Sequence, residues 1–215
     1  MLDQEGTKKN AVSFLIAEYN EIAQETRRLR QEGITRLNFF ITITSSFLAV
    51  LVFLSQSKAT LGVSFQIAAV GVLLLLLLIG LDTFDHSIRR DVYTDFNVRA
   101  MARIRCFFAT QSPEIKQYLT WQYHDEPTLW VTRNNSNVRK TVQYIISSIC
   151  ALTVGLMINL IGANPIISTI VGGVVLVVAF IGFRGYASKR FKQASIDAEK
   201  STRFPIECVQ IGEVK

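Results

Sequence analysis

The 215-residue chain has little of what metal centres and redox or hydrolytic sites are built from. It contains two histidines, His86 and His124, and neither lies at a metal-ligand spacing from another histidine or a cysteine. Its three cysteines have no paired spacing, which argues for a reducing compartment without disulfides. Glycine-rich phosphate loops and nucleophile-elbow motifs are also missing. We therefore expect no enzymatic activity, no bound metal and no cofactor.

Charge is missing too, from four long apolar stretches. They contain 18, 21, 20 and 18 residues and are Leu37–Leu54, Leu61–Leu81, Val142–Ile161 and Ile166–Phe183. At about 1.5 Å of rise per residue, each helix would reach roughly 27–32 Å, the thickness of a bilayer's hydrocarbon core. A core helix of a large soluble protein could look the same, but four of them would leave too little amphipathic chain to cover them. The sequence predicts an all-α integral membrane protein with four transmembrane helices in two hairpins.

The charged residues predict the orientation of these hairpins. Of the 23 Lys and Arg residues, 22 lie outside the two short connections within the hairpins, as do all 17 acidic residues. By the positive-inside rule, the polar segments and both termini are expected in the cytoplasm. The predicted parts are an N-terminal amphipathic helix (1–36), a hairpin (37–81), a helical segment (82–141), a second hairpin (142–183) and a C-terminal helix with its tail (184–215).

The polar segments are predicted to continue the spans as helices. Apolar positions in steps of three and four indicate a heptad seam before Gly33, a predicted hinge. The seam positions are Val12, Leu15, Tyr19, Ile22, Thr26 and Leu29. One long helix is expected over Asp82–Ala109, which contains neither Pro nor Gly. Its apolar ridge is predicted at Phe84, Ile88, Val92, Phe96, Ala100, Ile104 and Phe108. Ser112 is expected to cap a short helix that begins at Pro113 and ends near Trp121.

Uncharged polar residues follow one face of the first and third spans. The candidate pore-lining residues are Asn38, Thr42, Ser45 and Ser46 in the first span and Ser148 and Asn159 in the third. Their ordinary role would be hydrogen bonding between packed helices. The sharper hypothesis is a water-filled path, which so small a protomer cannot enclose alone and which therefore requires a homo-oligomer. The leucine-rich second span is expected to face lipid.

Three arginines form the candidate ligand-binding site. Arg99, Arg103 and Arg105 have no acidic residue between them, and aromatic residues are interleaved with them. Guanidinium groups beside aromatic rings can hold phosphates and stack on bases, which favours a nucleotide or single-stranded oligonucleotide as the ligand. The alternative is a solvated face, or one ion-paired between subunits, because Asp91 and Asp95 lie one or two turns away.

The long helix reads HSIRRDVYTDFNVRAMARIRCFF, and SPEIKQYL follows it. With the four-pass topology, these segments resemble the small membrane effectors of bacterial antiphage defence, such as the membrane effector of the Hailong system. The resemblance covers the topology over most of the chain and motif detail over residues 86–119. It implies a tetrameric ion channel in the bacterial inner membrane that responds to a nucleic-acid oligomer made by a partner nucleotidyltransferase-like enzyme. Its opening would depolarise the cell.

Two alternatives to a channel remain. A non-conducting scaffold could use the same cytosolic helices to recruit a soluble partner to the membrane. A small transporter is disfavoured, because the spans offer neither an intramembrane charge nor a broken helix as a coupling site.

Overall fold

The fold is helical throughout the residues that a computed structural model of the chain describes, which are 2–55, 58–125, 136–161 and 164–203. The α-helices are α1 (Leu2–Ser55), α2 (Lys58–Gln111), α3 (Asn137–Leu160) and α4 (Pro165–Lys200), and a 3-10 helix (Pro113–Tyr118) follows α2. Each α-helix contains a stretch long and apolar enough to cross a membrane. The predicted fold class, an all-α protein with four membrane spans, is confirmed.

The chain divides into two compact units. The membrane unit consists of Glu32–Arg89 and Asn135–Arg190, and it contains the apolar stretches. The polar unit consists of Met1–Gln31, Arg90–Asn134 and Phe191–Lys215. Helices α1, α2 and α4 contribute residues to both units. Because α1 continues without a break through the buried Gly33, the structure shows no hinge at that residue.

At Gly80 of α2, side chains of α1 and α3 lie close to the α2 backbone. A Cβ atom on Gly80 would lie 2.8 Å from Ile146 Cγ1 and 3.0 Å from Phe40 Cζ. The side chains of Phe40 and Ile146 are fully buried, as is that of Leu76 on α2. The missing side chain at Gly80 therefore lets an aromatic ring and an isoleucine pack on the α2 backbone.

One side of the leucine-rich second span is part of this core. Ala69, Leu73 and Leu76 are buried, whereas Leu75 and Leu78 are exposed. A third of the residues in the most apolar stretch of α2 are buried, whereas none are buried in the most apolar stretch of α4. The expectation that the second span faces lipid was therefore wrong for one side of the helix. A leucine run is equally apolar all round, so its composition cannot reveal which side is covered.

Helices α3 and α4 form an antiparallel hairpin with a constant register. Three pairs define it: Gln143 Nε2 donates to Phe180 O (2.9 Å), Ser168 Oγ donates to Gly155 O (2.5 Å), and a Cβ on Gly172 would lie 3.3 Å from Ala151 O. Each step forward along α3 is matched by an equal step backward along α4. Residues outside these pairs can therefore be placed at the same level by counting.

In the polar unit, the predicted seam of α1 is the less exposed side of that helix. All six seam positions from Val12 to Leu29 are half-buried, whereas Phe14 and Ile16 between them are exposed. Alternating steps of three and four follow the 3.6-residue turn closely, and the seam prediction is confirmed.

The ridge predicted along α2 diverges from the side that is buried. Phe84 and Ile88 are buried as expected, but Phe96 is 46% exposed. Successive steps of four advance by about 400° each, so a ridge built from them has drifted roughly 120° by its fourth member. The buried side instead follows steps of three and four and includes Asp91 and Arg99. A ridge of apolar positions leaves such charged residues out, because their burial depends on partners that a local pattern does not show.

The turn after α2 also differs in detail from its prediction. The expected helix is a single 3-10 segment that ends at Tyr118. The Ser112 side chain makes no capping hydrogen bond, and Ser112 O instead accepts from Ile115 N at 3.0 Å. The local signal gave the correct start of the helix but the wrong capping group.

Adding one methyl group at Gly80 tests the packing of the membrane unit. Gly80→Ala would force Phe40 or Ile146 to move, and overpacking a core costs about 1–3 kcal/mol. We expect the melting temperature of the detergent-solubilised protein to fall by several degrees. Gly71→Ala is the matched control on the same helix, because nothing lies within 4 Å of a Cβ there. Equal melting temperatures for the two variants would contradict this packing.

Candidate functional site

Arg99, the first of the three candidate arginines, is buried in the polar unit. It is 3% exposed, its Nε donates to Asp95 Oδ2 at 2.7 Å, and its Nη1 donates to Asp125 O at 3.1 Å. Burial raises the pKa of Asp95, and the hydrogen bond and charge of Arg99 oppose that rise. Arg99 is therefore placed as half of a buried ion pair, and a ligand could reach it only if the polar unit opened.

Arg103 is bonded to a carboxylate that is fully buried. Arg103 Nε donates to Asp125 Oδ2 at 2.6 Å, and Arg103 Nη2 donates to Ser201 O at 2.9 Å. Both carboxylate oxygens of Asp125 also accept from the backbone N–H of Arg203, at 3.1 and 3.0 Å. A buried carboxylate is tolerated only when it is well supplied with such donors. Asp125 thus ties α2 to the residues that follow α4.

Arg105 extends this network to α1. Its Nη2 donates to the Tyr19 hydroxyl at 2.9 Å, its guanidinium carbon lies 5.4 Å from the centre of the Tyr19 ring, and its Nη1 donates to Gln122 O at 3.3 Å. Tyr19 belongs to the half-buried seam of α1. The three arginines therefore connect four stretches of the polar unit: α1, α2, the segment 122–125 and the chain after α4.

This geometry favours the ion-paired alternative for Arg99, with the pairs inside one chain rather than between subunits. The side chain of Arg103 remains 30% exposed, and Arg105 is half-buried. Tyr118 and Trp121, two of the nearby aromatic residues, are exposed in the same unit. Ligand contact by Arg103 and Arg105 stays a prediction, and a ligand there would compete with bonds that already exist.

Asp125 is the residue that sequence reasoning missed. It lies next to His124, beyond the predicted short helix, where no periodicity marks a buried position. Its partners Arg103 and Arg203 are 22 and 78 residues away along the chain. The usable signal was the excess of arginine on α2, which requires a buried acid from elsewhere. Asp95, on the same helix, pairs with Arg99 alone, and Arg103 and Arg105 find their partners elsewhere in the chain.

In the membrane unit, the polar residues predicted in the first span lie on the outside of α1. Asn38, Thr42, Ser45 and Ser46 are all exposed, whereas Phe40 and Thr44 are buried. Ser46 Oγ donates to Thr42 O at 2.8 Å and is satisfied within its own helix. The side chains of Asn38, Thr42 and Ser45 make no hydrogen bond to the part of the chain that the structure describes. We call these three residues the α1 polar face.

The two candidates in the third span occupy different environments. Ser148 is exposed on the outside of α3, and Asn159 is half-buried. Among the described residues, no hydrogen bond links either of them to the α1 polar face. The structure therefore does not bring the two predicted sets together within one protomer.

Removing the charge of Asp125 tests the network of the polar unit. Asp125→Asn weakens the bonds to Arg103 and Arg203, and breaking a buried ion pair costs up to about 3 kcal/mol. We expect amide hydrogen exchange at residues 198–203 to become at least tenfold faster. Asp197→Asn removes the same charge from an exposed position nearby and should leave exchange unchanged. The network would be refuted by equal exchange rates in the two variants.

Comparison with known proteins does not assign a function to these residues. No protein-family model matches the chain, and neither a curated protein nor a solved structure is significantly similar to it. The function must therefore be inferred from the contacts, exposures and charges of this chain itself.

Proposed function

We propose that the chain is a homo-oligomeric transmembrane channel whose path is lined by the α1 polar face and whose opening is controlled by the polar unit. The observation that carries the proposal is the exposure of Asn38, Thr42 and Ser45 in the membrane span of α1, where exposed neighbours such as Phe39, Ile41 and Val50 are apolar. A carboxamide and two hydroxyls on the outside of a membrane helix require a partner that hydrocarbon cannot supply.

The cost of leaving these groups in lipid supports this proposal. An unpaired polar group in hydrocarbon costs several kcal/mol, and the amide of Asn38 has two donors and an acceptor to satisfy. Steps of four and three residues place Asn38, Thr42 and Ser45 on one side of α1 over roughly 10 Å of helix. Water in a shared path would satisfy all three groups at once, which is the arrangement expected of a pore lining.

An oligomer is required because the α1 polar face points away from the core of its own unit. Phe40 and Thr44, on the other side of α1, are the residues buried in the protomer. Several copies arranged around an axis would turn their exposed α1 faces toward one another and away from lipid. The number of copies suggested by the resemblance to antiphage effectors is four.

The polar unit is proposed as the regulatory part, on the cytoplasmic side where the excess of Lys and Arg places it. Its network of Arg103, Arg105 and Asp125 holds four stretches of chain together. An anionic ligand that binds Arg103 and Arg105 would have to replace the bonds to Asp125 and Gln122, so its binding would rearrange these stretches. A nucleotide or short oligonucleotide from a partner nucleotidyltransferase-like enzyme fits this chemistry. Depolarisation of an infected bacterium would be the result.

The second candidate is a non-conducting membrane scaffold. Exposed apolar residues of the polar unit favour it: Phe14, Ile16 and Tyr118 are all more exposed than is usual for such side chains. On this account the α1 polar face serves only to hold subunits together. Ion flux distinguishes the two candidates, because a scaffold has none.

The pore lining is tested by conductance in planar bilayers. Asn38→Leu with Thr42→Leu removes a carboxamide and a hydroxyl from the proposed path, and we expect the single-channel conductance to fall at least twofold. The control is Phe39→Leu with Ile41→Leu, which changes neighbouring exposed residues without altering polarity. Conductance that is the same in both double variants would remove the α1 polar face from the path. If the purified protein shows no conductance, the non-conducting scaffold is the candidate function that remains.

The ligand contact is tested on Arg105, because its loss leaves Asp125 paired with Arg103. Flux from proteoliposomes is measured with ATP and with short single-stranded DNA and RNA as probes. Loss of a charge-assisted contact worth about 1.5–3 kcal/mol should raise the half-maximal concentration of the active probe at least tenfold in Arg105→Gln. Arg27→Gln, at an exposed position on α1, should respond like the wild type. An unchanged response in Arg105→Gln, or no response to any probe, would overturn this assignment.

A further inference from the structure

The outside of the α3–α4 hairpin combines an aromatic pair with two cations. Tyr144 of α3 stacks on Phe180 of α4, with ring centroids 5.0 Å apart and ring planes inclined by 21°. Lys140 lies four residues before Tyr144, and Arg184 lies four residues after Phe180. Each cation is therefore on the same side of its helix as the ring, one turn closer to the polar end of the hairpin. We call Lys140, Tyr144, Phe180 and Arg184 the hairpin face.

The register of the hairpin places the two cations at the same level. Gln143 pairs with Phe180 through a hydrogen bond, so three residues back along α3 and three forward along α4 bring Lys140 opposite Phe183, next to Arg184. Lys140 and Arg184 are both exposed, and Tyr144 is 59% exposed. Neither cation has a hydrogen bond or ion pair within the described residues.

Two acidic residues at this end of the membrane unit, Asp85 and Glu32, already have cationic partners. Asp85 pairs with Arg89 at 2.7 Å, accepts from the Tyr186 hydroxyl at 3.1 Å and lies 3.7 Å from Arg190. Glu32 similarly lies 3.4 Å from Arg36. Within the described residues no acidic side chain, the exposed Asp82 included, pairs with Lys140 or Arg184, so their positive charge is open to a partner outside the protomer.

The hairpin face lies at the boundary between apolar and polar chain. Lys140 stands two residues before the third apolar stretch, and Arg184 directly follows the fourth. Exposed tyrosines at this level are typical of the lipid–water interface, where the ring is apolar and the hydroxyl is hydrated. Deeper in the membrane unit the hairpin exposes apolar side chains, among them Leu152 and Val177.

We propose that the hairpin face binds an anionic phospholipid, with the phosphate between Lys140 and Arg184 and an acyl chain against the exposed apolar side chains beyond Tyr144. Two cations at the same level attract a phosphodiester, and basic residues at this depth attract acidic lipids. A soluble phosphate would meet the same cations, but it would gain nothing from the aromatic pair or from the apolar surface beyond it. A lipid is the source of phosphate that uses every part of the face.

This inference goes beyond the proposed function and holds whether or not the protein conducts. It also refines one prediction. Ser148 follows Tyr144 by four residues on the same side of α3, so a lipid on the hairpin face places Ser148 beside lipid. The path of a channel would then be lined by α1 without Ser148.

Native mass spectrometry of the full-length protein, released from detergent and titrated with phosphatidylglycerol, tests the proposal. The wild type is expected to bind one phosphatidylglycerol molecule per protomer more tightly than any further phosphatidylglycerol molecules. It should bind phosphatidylcholine only weakly. Lys140→Gln with Arg184→Gln should weaken that first binding event roughly tenfold. Lys9→Gln with Lys200→Gln removes the same charge from exposed positions in the polar unit and should leave it unchanged.

Three outcomes would overturn the proposal. One is an equal loss of affinity in both double variants, which would mean a diffuse charge effect. Another is unchanged binding in Lys140→Gln with Arg184→Gln. The third is binding of inorganic phosphate or glycerol phosphate at the concentrations at which phosphatidylglycerol binds.

If the double variant proves unstable, the single variant Lys140→Gln replaces it, because the described structure gives this side chain no partner to lose. Lys140→Gln should weaken the first binding event about threefold.

Discussion

Hydrocarbon offers a polar group nothing to hydrogen-bond with, and this constraint decides how the chain is organised. It requires the spans to be helices that satisfy their own backbones, and it sets the same requirement for side chains. Ser46 meets it by bonding to the carbonyl of Thr42, and Ser168 meets it by bonding to Gly155 across the hairpin. Within the described residues, Asn38 and Ser45 do neither. Assembly around a hydrated path, as we propose, would serve them together.

The polar unit, in contrast, is held together by buried ion pairs and hydrogen bonds. Its centre is the buried carboxylate of Asp125, which receives Arg103 and the backbone of Arg203. Such a network has a definite geometry and a high cost of disruption, so it has few intermediate states. A ligand that takes over even one of its arginines would change several contacts together, which is the property a regulatory unit needs.

The parts that could be predicted from sequence are those with a local pattern. Charge-free runs gave the spans, and alternating steps of three and four gave the α1 seam from Val12 to Leu29. On α2 the predicted ridge includes the buried Phe84, Ile88 and Ile104, but it misses Asp91 and Arg99, because these residues are charged and their burial depends on partners. Asp125 could not be found locally, since the bonds that bury it join residues far apart in the chain.

The most direct test of the account is the environment of each residue along α1 in a bilayer. For this test the native cysteines are replaced, a nitroxide label is placed at each position from 37 to 50 in turn, and the protein is reconstituted into a bilayer. Relaxation of the label by a water-soluble nickel complex reports contact with water, and relaxation by oxygen reports contact with lipid. The account predicts nickel-complex maxima at Asn38, Thr42 and Ser45, with oxygen maxima on other sides of the helix. Oxygen maxima at those three residues would show that they face lipid and would contradict it.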